Sequence, residues 1–220
     1  MSLSSSPKLI KGGLVVLPPG GSGAPLRTIA LQYNPDTLTR SYQVQGTGGD
    51  GGGERAQPFR LKGPAIETLK VDAEIDATDQ LEASEQNAIT VQHGIAPQIA
   101  TLESLANPSV AELLALDALA SSGALEIIPP EAPLVLFIWS RNRIVPVRVT
   151  ELSVTEEAFD AALNPIRAKV SLGLRVLSTD DLGFQHRGGS LFINHLRTRE
   201  ALAGKAVSAT LQSLGIDALP

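Results

Sequence analysis

The fold is decided by residues 133–177, PLVLFIWSRNRIVPVRVTELSVTEEAFDAALNPIRAKVSLGLRVL, which predict three consecutive strands joined by two tight connections. The first strand, residues 134–139, is apolar on both faces, so we expect it to be covered on both sides. The last strand, residues 166–176, alternates between apolar and polar positions, which predicts one buried and one solvated face. A bare meander of this kind favours a protein that works through its surfaces and strand edges.

The two connections within this stretch differ in character. Residues 140–143 form a polar hairpin tip. Pro146 follows closely, and because proline cannot donate to a ladder we expect it on an edge strand or at a strand start. Residues 156–163 begin with two glutamates and close at Asn164-Pro165, a pattern that predicts a short helical connection.

The rest of the chain predicts further strands, two helical segments and a helical C-terminal extension. Strands are expected at residues 8–17, 26–33, 37–45 and 67–77, and the turn Asn34-Pro35 closes the second of them. Helices are expected at residues 95–106, 110–119 and 190–219, and residues 46–58 read as a flexible glycine-rich loop. The fold class is therefore α+β, mainly antiparallel β, with a β domain over residues 1–178 and a C-terminal extension over residues 179–220.

Composition excludes several classes of protein. The formal net charge of -5 argues against a nucleic-acid partner, which needs a clustered basic face. No apolar run approaches the roughly 20 residues that span a bilayer, so no membrane insertion is expected. The first residues lack the apolar core of a signal peptide, which predicts residence in the cytosol. The chain has no cysteine, so disulfides and thiol chemistry are excluded.

No pattern in the sequence indicates an active site, a metal or a cofactor. His93, His186 and His195 lie far apart, without the spacing of a metal-binding helix. The glycine-rich stretches lack the G-K-[ST] ending of a phosphate-binding loop, and no G-x-S-x-G elbow is present. We therefore expect no cofactor and no enzymatic activity.

Candidate contact residues lie on the hairpin tip and on two strands of opposite charge. At the tip, Trp139, Arg141 and Arg143 offer an aromatic ring and two guanidinium groups, although a core role for Trp139 is the ordinary alternative. The acidic strand carries Asp72, Glu74 and Asp76, and the polar side of the last strand carries Arg167, Lys169 and Arg175. These opposite charges suit a boundary between subunits, where complementarity sets register.

Four segments, taken in order, carry a resemblance to a known family. They are IALQYNPDTLTRSYQ at residues 29–43, LKGPAIETLKVDAEIDA at 61–77, GIAPQIATLESLANP at 94–108, and the stretch 133–177. The set resembles the tube-protein domain of extracellular contractile injection systems, which are phage-tail-like particles. The resemblance implies a tube-like β-barrel or sandwich with a packed helix. It also implies a ring, hexameric in that family, that adapts the baseplate spike hub to the inner tube and initiates the tube.

The implied partners are further copies of the chain, the inner tube subunit, the hub or spike protein, and the sheath or a baseplate wedge. Many relatives carry a C-terminal LysM domain, but residues 178–220 show no LysM-like pattern. An adaptor at the cap end of the tube is therefore a second interpretation. A stand-alone soluble binding module, with its site at the glycine-rich loop and the hairpin tip, is a third.

Overall fold

The computed structural model describes residues 10–47, 60–122 and 130–219. The strands are β1 Gly13–Leu17, β2 Arg27–Ala30, β3 Leu38–Gln43, β4 Gly46–Thr47, β5 Arg60–Leu61, β6 Ile66–Asp76, β7 Leu134–Ser140, β8 Arg143–Phe159 and β9 Pro165–Val176. The helices are α1 Thr78–Glu82, α2 Ala88–His93, α3 Ala96–Glu103, α4 Val110–Ser121, α5 Thr179–Leu182 and α6 Arg187–Ala203, and 3-10 turns lie at Pro19–Gly21, Ser84–Gln86 and Leu211–Leu214.

Seven strands form one antiparallel sheet in the order β2-β1-β7-β8-β9-β6-β3. The α+β class with a mainly antiparallel sheet is confirmed. The sheet does not close into a barrel, however, because β2 and β3 pair on one side only within the described residues. Most of the predicted loop at residues 46–58 lies outside the described residues, and its base is the small ladder between β4 and β5.

A side chain joins the edge strand β2 to β6, the neighbour of the other edge strand, where no strand pairing does. Gln32, just beyond β2, donates its side-chain amide to the backbone carbonyl of Asp76 at 2.6 Å. Its Oε1 accepts from the Asp76 backbone N–H at 2.9 Å. The amide thus supplies the donor and acceptor that a paired strand residue would supply. The end of β2 is thereby held beside the end of β6.

The meander of residues 133–177 is confirmed as β7, β8 and β9, but the predicted helix at residues 156–163 is wrong. β8 continues to Phe159 as a 17-residue strand, and register shifts let it follow β9 to its start. The return is a tight turn in which the Asp160 carboxylate accepts from the backbone N–H groups of Ala162 at 2.7 Å and Asn164 at 2.8 Å. An aspartate side chain that satisfies backbone donors in this way makes a helical turn unnecessary.

Pro146 lies inside β8, between two paired strands, which contradicts its expected place at an edge or a strand start. Its carbonyl accepts from the N–H of Leu177, one residue beyond the end of β9. In an antiparallel ladder a residue's N–H and C=O point to the same side. The N–H that Pro146 lacks would therefore have faced the chain after β9, so no ladder bond within β9 is lost.

The main hydrophobic cluster lies on one face of the sheet and under α6, while a smaller cluster of Leu17, Leu134 and Leu136 buries the other face of β7, as its sequence predicts. Strict alternation on β6 and β9 buries Leu69, Val71, Leu172 and Leu174, which are each 2% exposed or less. Phe192 of α6 joins this cluster and is 3% exposed. Burial of each such side chain contributes about 1.5–3 kcal/mol. α6 is therefore packed on the sheet.

Helix boundaries differ in part from the sequence pattern. The helix expected at residues 95–106 is confirmed only over α3, whose start carries Pro97 in its first turn. α4 is confirmed, and a capping box formed by Ser109 and Glu112 begins it. The C-terminal helix ends at Ala203, and residues 204–219 are exposed, with a single 3-10 turn.

Candidate subunit interface

The polar face of the sheet brings the predicted acidic and basic residues together on neighbouring strands of one chain. Asp72 lies opposite Ser171, Glu74 opposite Lys169, and Asp76 opposite Arg167 in the β6–β9 register. Arg167 Nε lies 2.7 Å from Asp76 Oδ2 and 4.0 Å from Glu74 Oε1. The opposite charges of β6 and β9 therefore pair within the subunit. Whether this face also contacts a neighbour stays a prediction.

The remaining polar residues of β9 also have partners inside the chain. Lys169 Nζ lies 2.6 Å from Glu157 Oε1 on β8, and Ser171 Oγ donates to Asp72 Oδ1 at 2.6 Å. Arg175 Nη2 lies 2.8 Å from Asp181 Oδ1 in α5. Acidic and basic side chains therefore alternate across this face, so its net charge is small.

Asp76 is the most strongly perturbed carboxyl group of this face. Hydrogen bonds from the side chain and backbone of Thr78, followed by the bond from Arg167, lower the pKa of Asp76 to about 2. The same contact raises the pKa of Arg167. Asp76 therefore stays ionised at neutral pH, and its hydrogen bonds to Thr78 fix the end of β6 where α1 begins.

The hairpin tip lies where the sequence predicts it, between the end of β7 and the start of β8. Trp139 is half-buried and stacks on Phe137, with ring centroids 5.9 Å apart. Gly12 makes room for this ring, since a Cβ there would lie 2.7 Å from the indole. Trp139 is therefore part of the edge of the core. Arg141 is exposed, and Arg143 is half-buried beneath it.

Beside the tip lies an ionic cluster that sequence reasoning missed. Glu67, at the start of β6, is only 5% exposed, and its Oε2 lies 3.3 Å from Arg199 Nη1 in α6. Tyr42 of β3 donates its hydroxyl to Glu67 Oε1 at 2.7 Å, and Arg199 lies over the Tyr42 ring, 5.0 Å from its centroid. Arg40 donates to the Tyr42 hydroxyl at 3.2 Å. The cluster ties β3, β6 and α6 together.

Positive charge exceeds negative charge in this cluster. Burial lowers the pKa of Arg143, and the nearby charge of Arg40 lowers it further. Burial likewise lowers the pKa of His195, which is 5% exposed and close to Glu67. Its Nδ1 has no hydrogen-bond partner among the described residues. Three guanidinium groups, of Arg40, Arg143 and Arg199, thus lie near one buried carboxylate, and Arg199 forms the ion pair with it.

One signal in the sequence points to this cluster. Glu67 has the same strand parity as Leu69, Val71, Ala73 and Ile75, so it occupies a core-facing position. A carboxylate at such a position needs a buried partner. The partner itself, Arg199, is 132 residues away and no spacing rule connects the two.

The two predicted turn motifs act as structural anchors. The Asn34 side chain donates to the carbonyl of Ile10 at 2.8 Å and accepts from the N–H of Gly12 at 2.9 Å, so it bonds back to the start of β1. Pro35 follows it in the turn toward β3. The Asn164 amide donates to Asp160 Oδ2 at 2.8 Å, and Pro165 is the buried first residue of β9.

Other kinds of site find little support in the described ranges. Within residues 10–47, 60–122 and 130–219, no group of three or more His, Asp or Glu side chains is arranged to hold a metal ion. No helix in those ranges is long and apolar enough to cross a membrane. His186 instead caps α6, accepting from the N–H of Gly188 at 3.0 Å, and lies 2.9 Å from Glu131.

The described residues thus form a mainly antiparallel sheet with two edge strands, a charged polar face and a packed helix. The chain belongs to the contractile injection system tube protein family, whose model matches residues 19–184. It is therefore a tube protein of a contractile injection system.

Comparison with individual proteins adds little to this assignment. A solved structure titled "Tail of empty GTA particle computed with helical refinement, C6 symmetry" is 14% identical, covering 75% of this chain and 90% of its own. Its TM-score of 0.28 is too low to support an argument about this protein. No curated protein matches the chain.

Proposed function

We propose that this tube protein forms a closed, hexameric ring that adapts the baseplate spike hub to the inner tube and initiates tube assembly. The role is structural and needs no catalytic group. Assembly takes place in the cytosol, before the particle is released. The observation that carries the proposal is the pair of unlike free edges, β2 and β3, at opposite ends of one curved sheet.

A free strand edge exposes unpaired N–H and C=O groups that a second chain can pair with. β3 is exposed along most of its length, and three of the four residues of β2 are exposed. The two edges differ in sequence. In the proposed ring, β3 of one copy pairs with β2 of the next, which is a head-to-tail contact. Contacts of that kind close into rings when the rotation between copies is suitable.

The two remaining surfaces suit contacts above and below the ring or toward its channel. Arg167 and Lys169 lie on the charged face of β9, which we assign to the lumen or to a neighbouring ring. Residues 204–219 are exposed and carry apolar side chains, among them Val207, Leu214 and Leu219. We assign this segment to docking on a neighbouring ring, on the sheath or on a baseplate wedge.

Native mass spectrometry of the purified chain, followed by separate co-purification with tube and hub subunits, tests the proposal. We expect a six-copy species that binds both partners. Binding to the tube but not to the hub would instead indicate an adaptor at the cap end. A monomer that binds neither partner would contradict the ring and favour a stand-alone binding module.

The assignment of the charged face needs its own variant. Arg167→Glu combined with Lys169→Glu is expected to block particle assembly, with the melting temperature of the isolated chain measured in parallel because both residues form ion pairs within the chain. Normal assembly of this variant would remove the charged face from the proposal. Lys11→Glu combined with Arg197→Glu changes the net charge equally at two exposed residues outside the assigned surfaces and serves as the control.

A further inference from the structure

Charge is strongly segregated along the chain. Residues 71–140 contain 11 acidic residues and neither lysine nor arginine. All 18 basic residues lie outside this segment, where they face only 12 acidic ones. The segment includes most of β6 and the helices α1 to α4. The net charge of -5 therefore conceals a subunit with one acidic region and one basic region.

The acidic region lies beside the edge strand β2. Exposed carboxylates occur at Asp79 and Glu82 of α1, at Glu85 of the following 3-10 turn, and at Glu103 of α3. None of these four forms an ion pair among the described residues, whose ion pairs involve other acids.

Two contacts place these helices at β2. One cavity of about 410 Å³ lies between β2 and the helices. It is lined by residues 28–32, which include the end of β2, and by Gln80 of α1 and Pro97 and Thr101 of α3. Arg27 of β2 donates to Ser104 Oγ at 2.9 Å, just beyond α3, and is the one base on that strand. We call this region the acidic edge.

The basic region lies beside the other edge strand, β3. Arg40 projects from β3 itself, and Arg199 and Arg143 lie close to it through Tyr42 and Glu67. Arg141 occupies the exposed hairpin tip two residues before Arg143. Glu67 is the carboxylate at the centre of this group and is already bonded by Tyr42 and Arg199. We call this region the basic edge.

The two regions are well separated within one subunit. Glu67, at the basic edge, and Asp76, just before α1 of the acidic edge, lie near the two ends of β6. They are nine residues apart, which is about 30 Å at the rise of an extended strand. At physiological ionic strength exposed charges at that separation are screened from each other. The acidic and basic edges of a single copy therefore do not neutralise one another.

We propose that the basic edge of one copy binds the acidic edge of the next, and that this contact sets the direction in which copies join. Pairing β3 with β3, or β2 with β2, places like charges together and is disfavoured. Pairing β3 with β2 places the guanidinium groups against free carboxylates. The occupant of the arginine-lined edge is therefore the carboxylate-rich helical layer of a second copy of this chain. This inference rests on the proposed ring and adds the chemistry that excludes two-fold dimers.

A charge-swap experiment on the full chain tests the contact. One variant reverses the basic edge with Arg40→Glu and Arg141→Glu, and a second reverses the acidic edge with Glu82→Lys and Glu85→Lys. All four side chains are exposed, but Arg40 donates to the Tyr42 hydroxyl, so the melting temperature of each variant is measured in parallel. Lys11→Glu with Arg197→Glu has the same net charge as the first variant, at two exposed residues outside both edges, and is the control.

Each variant alone is expected to associate at least about tenfold more weakly than wild type in sedimentation equilibrium at 0.1 M salt. An equimolar mixture of the two is expected to regain association as alternating copies, with even-numbered species in native mass spectrometry. The chain that carries all four substitutions is expected to associate with itself.

Failure of the inference and failure of the proposed function give different results. Rings from either variant alone at wild-type strength, or no recovery on mixing, would overturn the inference and leave the ring in place. Wild-type chain that stays monomeric alone and with tube and hub subunits would overturn both. Equal weakening by the control variant would also overturn the inference, because the effect would then come from net charge.

Discussion

Arg199 Nη1 lies 3.3 Å from Glu67 Oε2, an ion pair that joins the last long helix to the start of β6 across 132 residues of sequence. Glu67 is almost fully buried, whereas the Arg199 side chain is 39% exposed. The pair therefore costs less desolvation than two buried charges would, and the Tyr42 hydroxyl satisfies the other carboxylate oxygen.

Replacing Glu67 by alanine is expected to lower the free energy of unfolding by about 2–3 kcal/mol. The change leaves the half-buried Arg199 without its carboxylate and Tyr42 without its acceptor. Urea denaturation measures the effect. Glu82→Ala, on the exposed face of α1, is the matched control and should stay within about 0.5 kcal/mol of wild type. Equal effects of the two changes would contradict the role given to Glu67.

Gln32→Ala is expected to destabilise the fold by about 1–3 kcal/mol, because the backbone N–H and C=O of Asp76 both lose their partner. Hydrogen exchange supplies a local reading: the Asp76 amide should exchange faster, while amides at the centre of β9 keep their protection. Gln92→Ala, in an exposed position of α2, is the control. Unchanged exchange at Asp76 would show that the side chain does not hold the end of β2 beside the end of β6.

Gly94→Ala is expected to lower the melting temperature markedly. Gly94 has φ of 58°, and a Cβ there would overlap the carbonyl oxygen of Pro165, a backbone atom that cannot move aside. Gly204, at the end of α6 with φ of -65°, has no contact closer than 3.7 Å, so Gly204→Ala should be neutral or stabilising by up to about 1 kcal/mol. Differential scanning calorimetry of the two variants should therefore give shifts that differ in size, and a tolerated Gly94→Ala would contradict the close approach of α2 to β9.

Stability is expected to fall as the pH is lowered through the range just below 6.5. Burial holds the pKa of His195 below its ordinary value of 6.5, so the unfolded chain binds a proton more readily than the folded one. The contribution of the neutral imidazole is complete above pH 6.5 and is lost as the pH falls toward the lowered pKa of the folded state. Glu67, Arg199 and Arg143 surround the ring and shape this response.

Chemical denaturation at pH 7.5 and at pH 5.5 measures this dependence. His195→Gln is expected to reduce the difference in stability between the two values, although its stability at pH 7.5 also changes. His93→Gln replaces an exposed histidine of α2 and should keep the wild-type difference. An identical pH dependence in wild type and His195→Gln would exclude His195 as its source.

Local patterns predicted the strands well because each has a clear period. The alternation on β6 and β9 identified both their extent and their buried faces, and the tight tip at residues 140–143 left little choice of pairing. Glu156 and Glu157 led to the wrong prediction of a helix, because acidic residues followed by alanine are typical of helices. Pairing with β9 instead keeps these residues in β8. The pairing of Arg167 with Asp76 and of Glu67 with Arg199 depends on topology, which no local period contains.

Residues 77–122 leave the sheet at the end of β6 and supply six exposed or half-exposed acids without contributing a strand. The layer that gives β2 its charge is thus an insertion between two strands. Mutations there can change the charge or the spacing of its side chains while the hydrogen-bonded ladders of the sheet stay intact. Under the proposed contact between edges, changes confined to this insertion would be enough for two duplicated subunits to assemble separately.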